Sequence, residues 1–423
     1  MATDPIRRIR AREHELPLAF GVREALSALA HLPPSLDIPY LTASLDWTPE
    51  GADPGHRPAR RVFDREMGQI VAAHGPRGAA FDSLAADAER VATFLDDELD
   101  PAARGVFLVS CTAHDVFEPF AFALPMETRL GVGPVPALSS LARLVDDHPA
   151  YAVLLADQHQ ATLSKFRRAA RGRSVWLESS DWPRKQQTGG WSQRRLQARA
   201  GERVAAFARG IADVTERTLD AADIDMLVVA GDAVITSALD AAFPPRVADR
   251  IVGTISLDIQ ASEQEMIEAT LPLVTQVERD RELVVARAVV EAVAANGLGA
   301  AGAPAVLRAL QAGQVATLVI VDDFSQQGWA DYEQDMYGVG PVPETHPVGG
   351  DPADLVPVAL EEEVIRLALR TGAEITFIHT RVPVDDTGAE GIPQPGSPPP
   401  RTEAATVLDE LGGVGALLRF AIA

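Results

Sequence analysis

The stretch YAVLLADQHQATLSKF, residues 151–166, begins with a continuous apolar run and ends in alternating apolar and polar residues. The run over 151–156 is typical of a fully buried strand, and it stops at Asp157. The alternation in ATLSKF predicts a second strand that pairs with the first, so we expect a hairpin. Downstream, ERVAAFARGIADVTERTLDAADIDMLVVAGD predicts a helix and then a strand at 226–230. The order of strand, helix and strand predicts an α/β layer in which one helix face packs on a sheet.

The length of the chain sets the expected number of domains. Its 423 residues exceed what one hydrophobic core usually supports, so two or three domains are expected. The order of elements predicts an α/β protein of three domains, each with a mixed sheet and flanking helices. These are an N-terminal α/β domain over 1–147, a middle domain over 148–275 and a C-terminal α/β domain over 276–423.

Two more helical patterns stand out. An amphipathic helix is predicted near 80–98 in the N-terminal domain. A longer pattern starts near residue 262 and runs to an Asn296-Gly297 stop, interrupted or kinked near Pro272.

The C-terminal domain continues the α/β pattern. A strand is predicted over 314–323, a helix over 354–372 and a further strand over 373–382. Two segments, 324–352 and 384–402, are rich in glycine and proline and are predicted to be flexible surface excursions. The sequence therefore predicts a third α/β unit with two surface excursions.

The charge distribution sets one segment apart. The chain has a net charge of −22, which argues against nonspecific binding of nucleic acid by the surface as a whole. Between residues 165 and 203, however, eleven basic residues stand against three acidic ones, a net charge of +8. We call residues 165–203 the basic segment. It contains a predicted loop over about 182–203, the tip loop, with the stretch TGGWSQRR.

The tip loop combines residue types suited to an RNA-rich cavity. Adjacent Gly189 and Gly190 allow positive φ angles and close approach of the backbone to another surface. Gln193 can position a water or a carbonyl group but cannot act as a strong base, because its amide does not titrate. Trp191 can stack on a nucleobase. The basic residues that could neutralise phosphates are Arg184, Lys185, Arg194, Arg195 and Arg199. The structural alternative is an arginine-rich loop that packs its tryptophan on its own domain.

Other motifs give no indication of a catalytic or metal site. There is no G-x-S-x-G, H-E-x-x-H or Walker motif, and the nine histidines are scattered. GGVGAL at 412–417 precedes a strand, so it lacks the strand-to-helix context of a dinucleotide-binding loop. The single cysteine, Cys111, is interpreted as a small buried residue, and His379 as a structural residue at a strand end. We expect no metal and no cofactor.

The sequence also predicts where the protein resides. No uncharged apolar run approaches the roughly 18 residues that span a bilayer. The N-terminal stretch MATDPIRRIRAREHELP has basic residues but no apolar region after them, so it does not match a signal peptide. We therefore expect a cytoplasmic protein without a membrane partner.

The order of these units resembles a known family. YAVLLADQHQATLSKF, followed by a Gly-Gly loop with a glutamine and by DMLVVAGD, is similar to the middle domain of archaeo-eukaryotic class I release factors and Pelota proteins. EEEVIRLALRTGAEITFIHTRV with the closing LGGVGALLRF is similar to their third domain, and IPYLTASLDW corresponds in place to their first. The chain resembles most closely the bacterial homologues of these factors, which are related to the eukaryotic tRNA hydrolases of ribosome quality control. The resemblance implies a release-factor/Pelota-like arrangement of three domains. It also implies the ribosome as partner, through tRNA and the rRNA of the peptidyl-transferase centre, and leaves open a further translation-factor partner for the C-terminal domain.

The resemblance also implies a role for the tip loop. In release factors a Gly-Gly-Gln tip enters the peptidyl-transferase centre and promotes hydrolysis of the ester between peptide and tRNA. Here two residues separate Gly190 from Gln193, which fits the G-x-x-Q spacing of the quality-control hydrolases. The implied catalytic residues are therefore Gln193, Gly189 and Gly190. Release factors also share an Asn-Ile-Lys-Ser motif that reads the codon, but residues 1–150 contain no lysine, so we expect no stop-codon reading.

Three functions are compatible with the sequence. The first is a ribosome-associated release or rescue factor that enters the A site and hydrolyses peptidyl-tRNA. The second is a Pelota-like hibernation factor that occupies the A site without hydrolysis, with Trp191 as a plug. The third is an α/β protein unrelated to ribosomes whose basic loop binds another acidic partner. The G-x-x-Q match does not choose between cleavage of the peptide ester and cleavage of the tRNA 3′ end.

Overall fold

The computed structural model describes residues 6–8, 22–50, 56–101, 103–122, 125–146, 150–167, 170–179, 193–222, 224–381 and 400–421. In these residues helices flank several β-sheets, which confirms the α/β fold class predicted from the sequence. The chain divides into two compact units. Unit 1 consists of 1–16 and 148–280, and unit 2 consists of 17–147 and 281–423. The division into three domains stays a prediction.

Unit 1 is built on one six-stranded mixed sheet. Its strands are β1 (Ile6–Arg8), β6 (Ala150–Ala156), β7 (Gln160–Arg167), β8 (Ala170–Ser179), β9 (Met226–Gly231) and β10 (Ile251–Ile255). They lie in the order β1-β8-β7-β6-β9-β10. β6 and β7 pair antiparallel as the predicted hairpin, and β9, the strand predicted at 226–230, pairs parallel with β6. The carboxylate of Asp157 closes the hairpin turn by accepting hydrogen bonds of 2.7 Å from the backbone N–H groups of His159 and Gln160.

Helices cover both faces of this sheet. They are α5 (Gln193–Ala222), α6 (Ala233–Asp240), α7 (Pro245–Ala248) and α8 (Glu263–Ala294), of which α8 continues into unit 2. Phe207, Ile211 and Leu219 of α5 recur at helical spacing and are buried on one face. Met266 and Ile267 of α8 are buried on the other face. The central strands are apolar on both sides because both sides are covered.

The N-terminal part of unit 2 contains a four-stranded antiparallel sheet. Its strands are β2 (Tyr40–Asp46), β3 (Gly105–Cys111), β4 (Val116–Phe122) and β5 (Arg129–Gly133), in the order β4-β3-β2-β5. The helices are α1 (Val22–Ala30), α2 (Pro58–Ala73), α3 (Ala79–Thr93) and α4 (Ser139–Asp146). α3 continues into a π-helical turn, Phe94–Glu98, so the helix predicted near 80–98 is confirmed. Phe63, Met67 and Leu84 bury α2 and α3 against one face of the sheet.

The C-terminal part of unit 2 contains two sheets. The larger has β11 (Gly299–Ala301), β12 (Val315–Val321), β16 (Glu374–Ile378) and β17 (Val414–Leu418), in the order β11-β17-β12-β16. The smaller has β13 (Gln327–Asp331), β14 (Met336–Val339) and β15 (Val356–Ala359), in the order β14-β13-β15. The helices of this part are α9 (Gly302–Gln311), α10 (Leu360–Arg370) and α11 (Glu403–Asp409). α8 ends just before the predicted stop, where Asn296 has a φ of 47°.

The structure corrects two sequence predictions in the C-terminal part. The segment 324–352 is not a plain surface excursion, because it contains β13 and β14 and the fully buried Ala330. The helix predicted over 354–372 begins only at Leu360, because the preceding residues form β15 and pair with β13. Pro357 disfavours a helix interior and fits an edge strand such as β15. Most of the other predicted excursion, 384–402, lies outside the described residues.

A partly buried polar junction connects α4 and α10 within unit 2. The carboxylate of Glu362 accepts hydrogen bonds from the backbone N–H groups of Leu138 (2.7 Å) and Ser139 (2.9 Å), and from the Ser139 hydroxyl. Arg143 of α4 donates a hydrogen bond of 2.9 Å to the neighbouring Glu361. Glu362 thus supplies the acceptor that the first N–H groups of α4 need. We call these contacts the α4–α10 junction.

Candidate nucleic-acid interface

The structure places part of the tip loop on a helix. Gln193 is the first residue of α5, so the predicted loop over about 182–203 is helical from Gln193 onward. The reason is local, because QRRLQARA consists of strong helix formers. Three further candidate residues lie in the first two turns of α5, namely Arg194, Arg195 and Arg199. The other candidates, Gly189, Gly190, Trp191, Arg184 and Lys185, lie outside the described residues.

The basic segment follows the outer half of the six-stranded sheet into α5. β7 carries Lys165 and Arg167, and β8 carries Arg171 and Arg173. The register of β7 against β8 shifts between Ser164 and Phe166, which is where Lys165 lies. Chain continuity then leads from the end of β8 through 180–192 to Gln193. The fold therefore keeps the basic residues in neighbouring elements.

The start of α5 is electrostatically suited to an anion. The helix has 30 residues and no acidic residue in its first turn, where Arg194 and Arg195 lie instead. The helix dipole makes this end partly positive, so carboxylates are stabilising here and cations are not. Arginines in the first turn of a helix are unfavourable unless a negative group binds there. A bound phosphate would offset the positive charge of the arginines and of the helix end.

The later turns of α5 anchor the helix to unit 1. Val204, Phe207 and Ile211 are buried in the apolar layer between α5, α6 and the sheet. A helix rises about 1.5 Å per residue, so Gln193 starts roughly 16 Å before Val204 along the axis. Gln193 therefore lies at the N-terminal end of a helix whose later turns are packed against the sheet.

A second polar cluster, in the C-terminal part of unit 2, has a structural character. The guanidinium of Arg366 donates hydrogen bonds to Glu363 at 2.8 and 3.0 Å and to the Tyr337 hydroxyl at 2.7 Å. Tyr332 also donates to Glu363. Burial, with the negative charge of Glu363, raises the pKa of Tyr332 far above its ordinary value. The phenol therefore stays protonated, and the cluster fastens β13 and β14 to α10.

Two residues singled out in the sequence are structural. Cys111 is fully buried, and burial raises the pKa of its thiol, so the thiolate needed of a nucleophile is disfavoured. His379 lies at the end of β16, where its Nδ1 is 2.7 Å from the Glu282 carboxylate and its backbone N–H donates to the same group. Both observations agree with the interpretation made from the sequence.

The described part of the chain offers few other functional candidates. Across it, no three or more His, Cys, Asp or Glu residues are grouped so that they could hold a metal ion. Among its helices, none combines the length and apolar character needed to cross a membrane. The sequence analysis missed the pairing of β1 with β8, because IRR has neither the alternation nor the apolar run of a strand.

The middle of the chain matches a known protein family. Residues 136–273 match the model of bacterial archaeo-eukaryotic release factor family 10. No curated protein matches the chain.

Similar solved structures include the archaeal translation termination factor aRF1, 15% identical over 94% of this chain and 98% of that chain with a TM-score of 0.22. Archaeoglobus fulgidus Pelota is 17% identical, with coverages of 75% and 80% and a TM-score of 0.31. Saccharomyces cerevisiae Dom34 is 9% identical, with the same coverages and a TM-score of 0.35. The family match covers the segment that holds β6 to β9, the tip loop and α5, and it confirms the resemblance there: residues 136–273 are similar to bacterial archaeo-eukaryotic release factors.

Proposed function

We propose that this protein is a cytoplasmic translation factor that enters the ribosomal A site and hydrolyses peptidyl-tRNA through its Gly-x-x-Gln tip. The observation that carries the proposal is the position of Gln193, which opens α5 among arginines inside the segment that matches the release-factor family. The basic segment, with its net charge of +8, would contact rRNA and tRNA phosphates. A partner of the C-terminal domain among translation factors is a further part of this proposal.

The chemistry assigned to Gln193 is positional. A neutral amide can hold a water against the ester carbonyl, but it cannot remove the proton as a strong base. Positioning alone accounts for a large share of a barrier, since a misplacement of about 1 Å can cost a hundredfold in rate. The donors that stabilise the developing oxyanion would come largely from the ribosome. Gly189 and Gly190 would let the backbone approach the peptidyl-transferase centre closely.

The decisive experiment compares two glutamines of the same helix. Stalled ribosomes that carry labelled peptidyl-tRNA are incubated with the wild type, Gln193→Ala or Gln197→Ala. Gln197 lies four residues after Gln193 on α5, so its replacement controls for helix propensity and loss of an amide. We expect release by the wild type, about a hundredfold slower release by Gln193→Ala, and release within twofold of wild type by Gln197→Ala. Equal release by all three proteins would refute the catalytic role of Gln193.

The products of the same reaction identify the bond. Free peptide with full-length tRNA indicates hydrolysis of the ester, whereas a shortened tRNA indicates cleavage near its 3′ end. Release should proceed equally with a stop codon, a sense codon or no codon in the A site, because residues 1–150 have no lysine for a codon-reading motif of the release-factor type. A strong preference for stop codons would contradict this part of the proposal.

A hibernation factor is the second candidate. It is favoured by the two residues, Trp191 and Ser192, that separate the glycines from Gln193, since the indole could fill the catalytic pocket. This candidate predicts that wild-type protein co-sediments with ribosomes yet leaves peptidyl-tRNA intact. Absence of co-sedimentation at low salt would remove both ribosomal functions and leave another acidic partner for the basic segment.

A further inference from the structure

The long helix α8 ends in a hydrogen-bonded turn at Asn296 and Gly297. The backbone N–H of Gly297 donates to the carbonyl oxygen of Ala292 at 2.9 Å, and that of Asn296 donates to Val293 at 3.0 Å. This pair of bonds is the Schellman motif, which requires a positive φ just after the helix, and Asn296 has a φ of 47°. We call these two bonds the α8 cap. Asn296 and Gly297 are both exposed to solvent.

Asn296 is chemically distinctive in this sequence. It is the only asparagine among the 423 residues, and it is followed by glycine. The backbone nitrogen after an asparagine can attack the side-chain amide, and glycine hinders this attack least because it has no Cβ. In the described part of the chain two other non-glycine residues have a positive φ, and both are aspartates, Asp115 and Asp335. Only the end of α8 therefore combines this backbone conformation with a side-chain amide.

We propose that Asn296 is the site of spontaneous deamidation in this protein, and that the α8 cap controls its rate. In this reaction the backbone nitrogen of Gly297 bonds to Cγ of Asn296, and the C–N bond of the side-chain amide breaks. The amide group leaves as ammonia and takes the proton of the Gly297 N–H. Water then opens the cyclic imide at either carbonyl, which gives an aspartyl or an isoaspartyl residue. This inference does not depend on the proposed ribosomal function.

The α8 cap holds the attacking nitrogen away from its target. The reaction requires the nitrogen of Gly297 to lie about 3–3.5 Å from Cγ of Asn296, aligned with the amide carbonyl. In the folded chain the same N–H is bonded to the carbonyl oxygen of Ala292, which fixes the peptide plane. A capping motif favours the closed helix end by up to about tenfold. The reactive conformation is therefore reached when the end of α8 opens.

The alternative is that the local sequence alone sets the rate, since helix ends open more readily than helix interiors. Gly299 offers a way to separate the two explanations. A Cβ at this position would lie 2.7 Å from the backbone nitrogen of Val293 and 2.9 Å from Cβ of Ala292. Gly299→Ala therefore strains the residues whose carbonyl groups accept the cap bonds, and it leaves the sequence Asn-Gly-Leu unchanged.

The test follows deamidation of the full chain at a mildly alkaline pH by mass spectrometry. Trypsin cleavage after Arg287 and Arg308 releases the peptide 288–308, which contains one asparagine and no glutamine. Conversion of an amide to an acid in this peptide therefore reports Asn296 alone. We expect the native chain to react about tenfold more slowly than the chain unfolded in urea. A synthetic peptide 288–308 should react as fast as the unfolded chain.

The variants test the role of the cap. Native Gly299→Ala should deamidate about threefold faster than the native wild type, and both should react equally in urea. Gly68→Ala on α2, where nothing lies within 4 Å of a Cβ, is the matched control and should react as the wild type does. Absence of any acidic product at Asn296, over a time in which the synthetic peptide reacts completely many times over, would overturn the assignment of the site. Equal rates in the native chain, the unfolded chain and the peptide would overturn control by the cap.

A second measurement examines the products. Aspartate tolerates a positive φ, as at Asp115 and Asp335, so Asn296→Asp should unfold at nearly the wild-type urea concentration. An isoaspartyl residue adds a carbon atom to the main chain and displaces the N–H of Gly297 from the carbonyl oxygen of Ala292. Aged protein rich in isoaspartate should therefore unfold at a lower urea concentration than Asn296→Asp. Equal unfolding midpoints would show that the cap adds no stability at this helix end, and would overturn its control of the rate.

Discussion

The backbone at Gly231, at the end of β9, requires glycine. Its φ is +150°, and a Cβ atom built there would lie 2.0 Å from the carbonyl oxygen of Ala156. We expect Gly231→Ala to lower the free energy of unfolding by about 3 kcal/mol, because the side chain strains the backbone and pushes β9 away from β6. Denaturation in urea measures this change.

The matched control is Gly201→Ala on α5. Nothing lies within 4 Å of a Cβ at Gly201, and alanine is favoured over glycine in a helix by about 1 kcal/mol. This variant should be as stable as the wild type or more so. A Gly231→Ala protein that unfolds at the wild-type urea concentration would show that the close approach of β6 and β9 carries no energetic constraint.

Arg366 is a buried cation whose removal should be costly. Its side chain is 2% exposed and is paired with the equally buried Glu363. Arg366→Met leaves that carboxylate buried without its cation, so we expect a loss of about 3–5 kcal/mol. The double variant Glu363→Gln with Arg366→Met should recover part of the loss, and a double-mutant cycle in urea measures the coupling. A loss below about 1 kcal/mol in the single variant would contradict the structural role of this cluster.

At the scale of elements, the α4–α10 junction should make stability depend on pH. Burial, reinforced by the nearby Glu362, raises the pKa of Glu361 from 4.5 to about 7, against the opposing effect of Arg143. The unfolded chain loses this proton near pH 4.5, while the folded chain keeps it up to about pH 7, so folding takes up a proton between these values. The stabilisation that Glu361 adds to the free energy of unfolding is fully present below pH 4.5 and is lost as the pH rises through 7.

This pH dependence can be isolated by comparison with Glu361→Gln. The free energy of unfolding of the wild type, minus that of the variant, should fall by about 1.4 kcal/mol per pH unit between pH 5 and 7 and then level off. Chemical denaturation at four pH values gives the curve, and all other titrating groups are common to both proteins. A difference that is flat, or that rises with pH, would show that Glu361 is ionised in the folded protein.

The elements also show where prediction from the sequence succeeds. The hairpin of β6 and β7, the strand β9 and the helix α3 were predicted because periodicity and length suffice to recognise them. β15 was mistaken for the start of a helix, although Pro357 argued against it, because its pairing partner β13 lies almost thirty residues earlier. Short strands whose apolar faces are completed by distant residues have no local pattern to reveal them.

At the scale of the whole molecule, the proposed binding of RNA by so acidic a protein requires a local basic region. The chain carries −22 in total and +8 over 165–203, so attraction to phosphates is local while the remaining surface repels them. If the five candidate cations of the tip loop contact phosphates, log affinity for ribosomes should fall linearly with log salt, with a slope of about −3.5. Replacement of Arg194 and Arg195 by glutamine should reduce the slope by about 1.4. A salt-independent affinity, measured by co-sedimentation, would refute phosphate contacts as the basis of binding.

The sequence by itself was enough for the α/β class, the central hairpin, the basic segment and the G-x-x-Q spacing. These features are local, because periodicity, charge counts and residue spacing are properties of a short stretch of chain. Only the structure shows that Gln193 is the first residue of a long helix packed on the sheet, and that β1 pairs with β8. It also shows that the carboxylate of Glu362 accepts hydrogen bonds from the first N–H groups of α4. The last two connect residues more than 150 positions apart, β1 with β8 through backbone hydrogen bonds and Glu362 with α4 through its side-chain carboxylate. No local preference encodes such partners; they form because the folded chain must satisfy its buried N–H and C=O groups with whatever acceptors and donors the packing brings near.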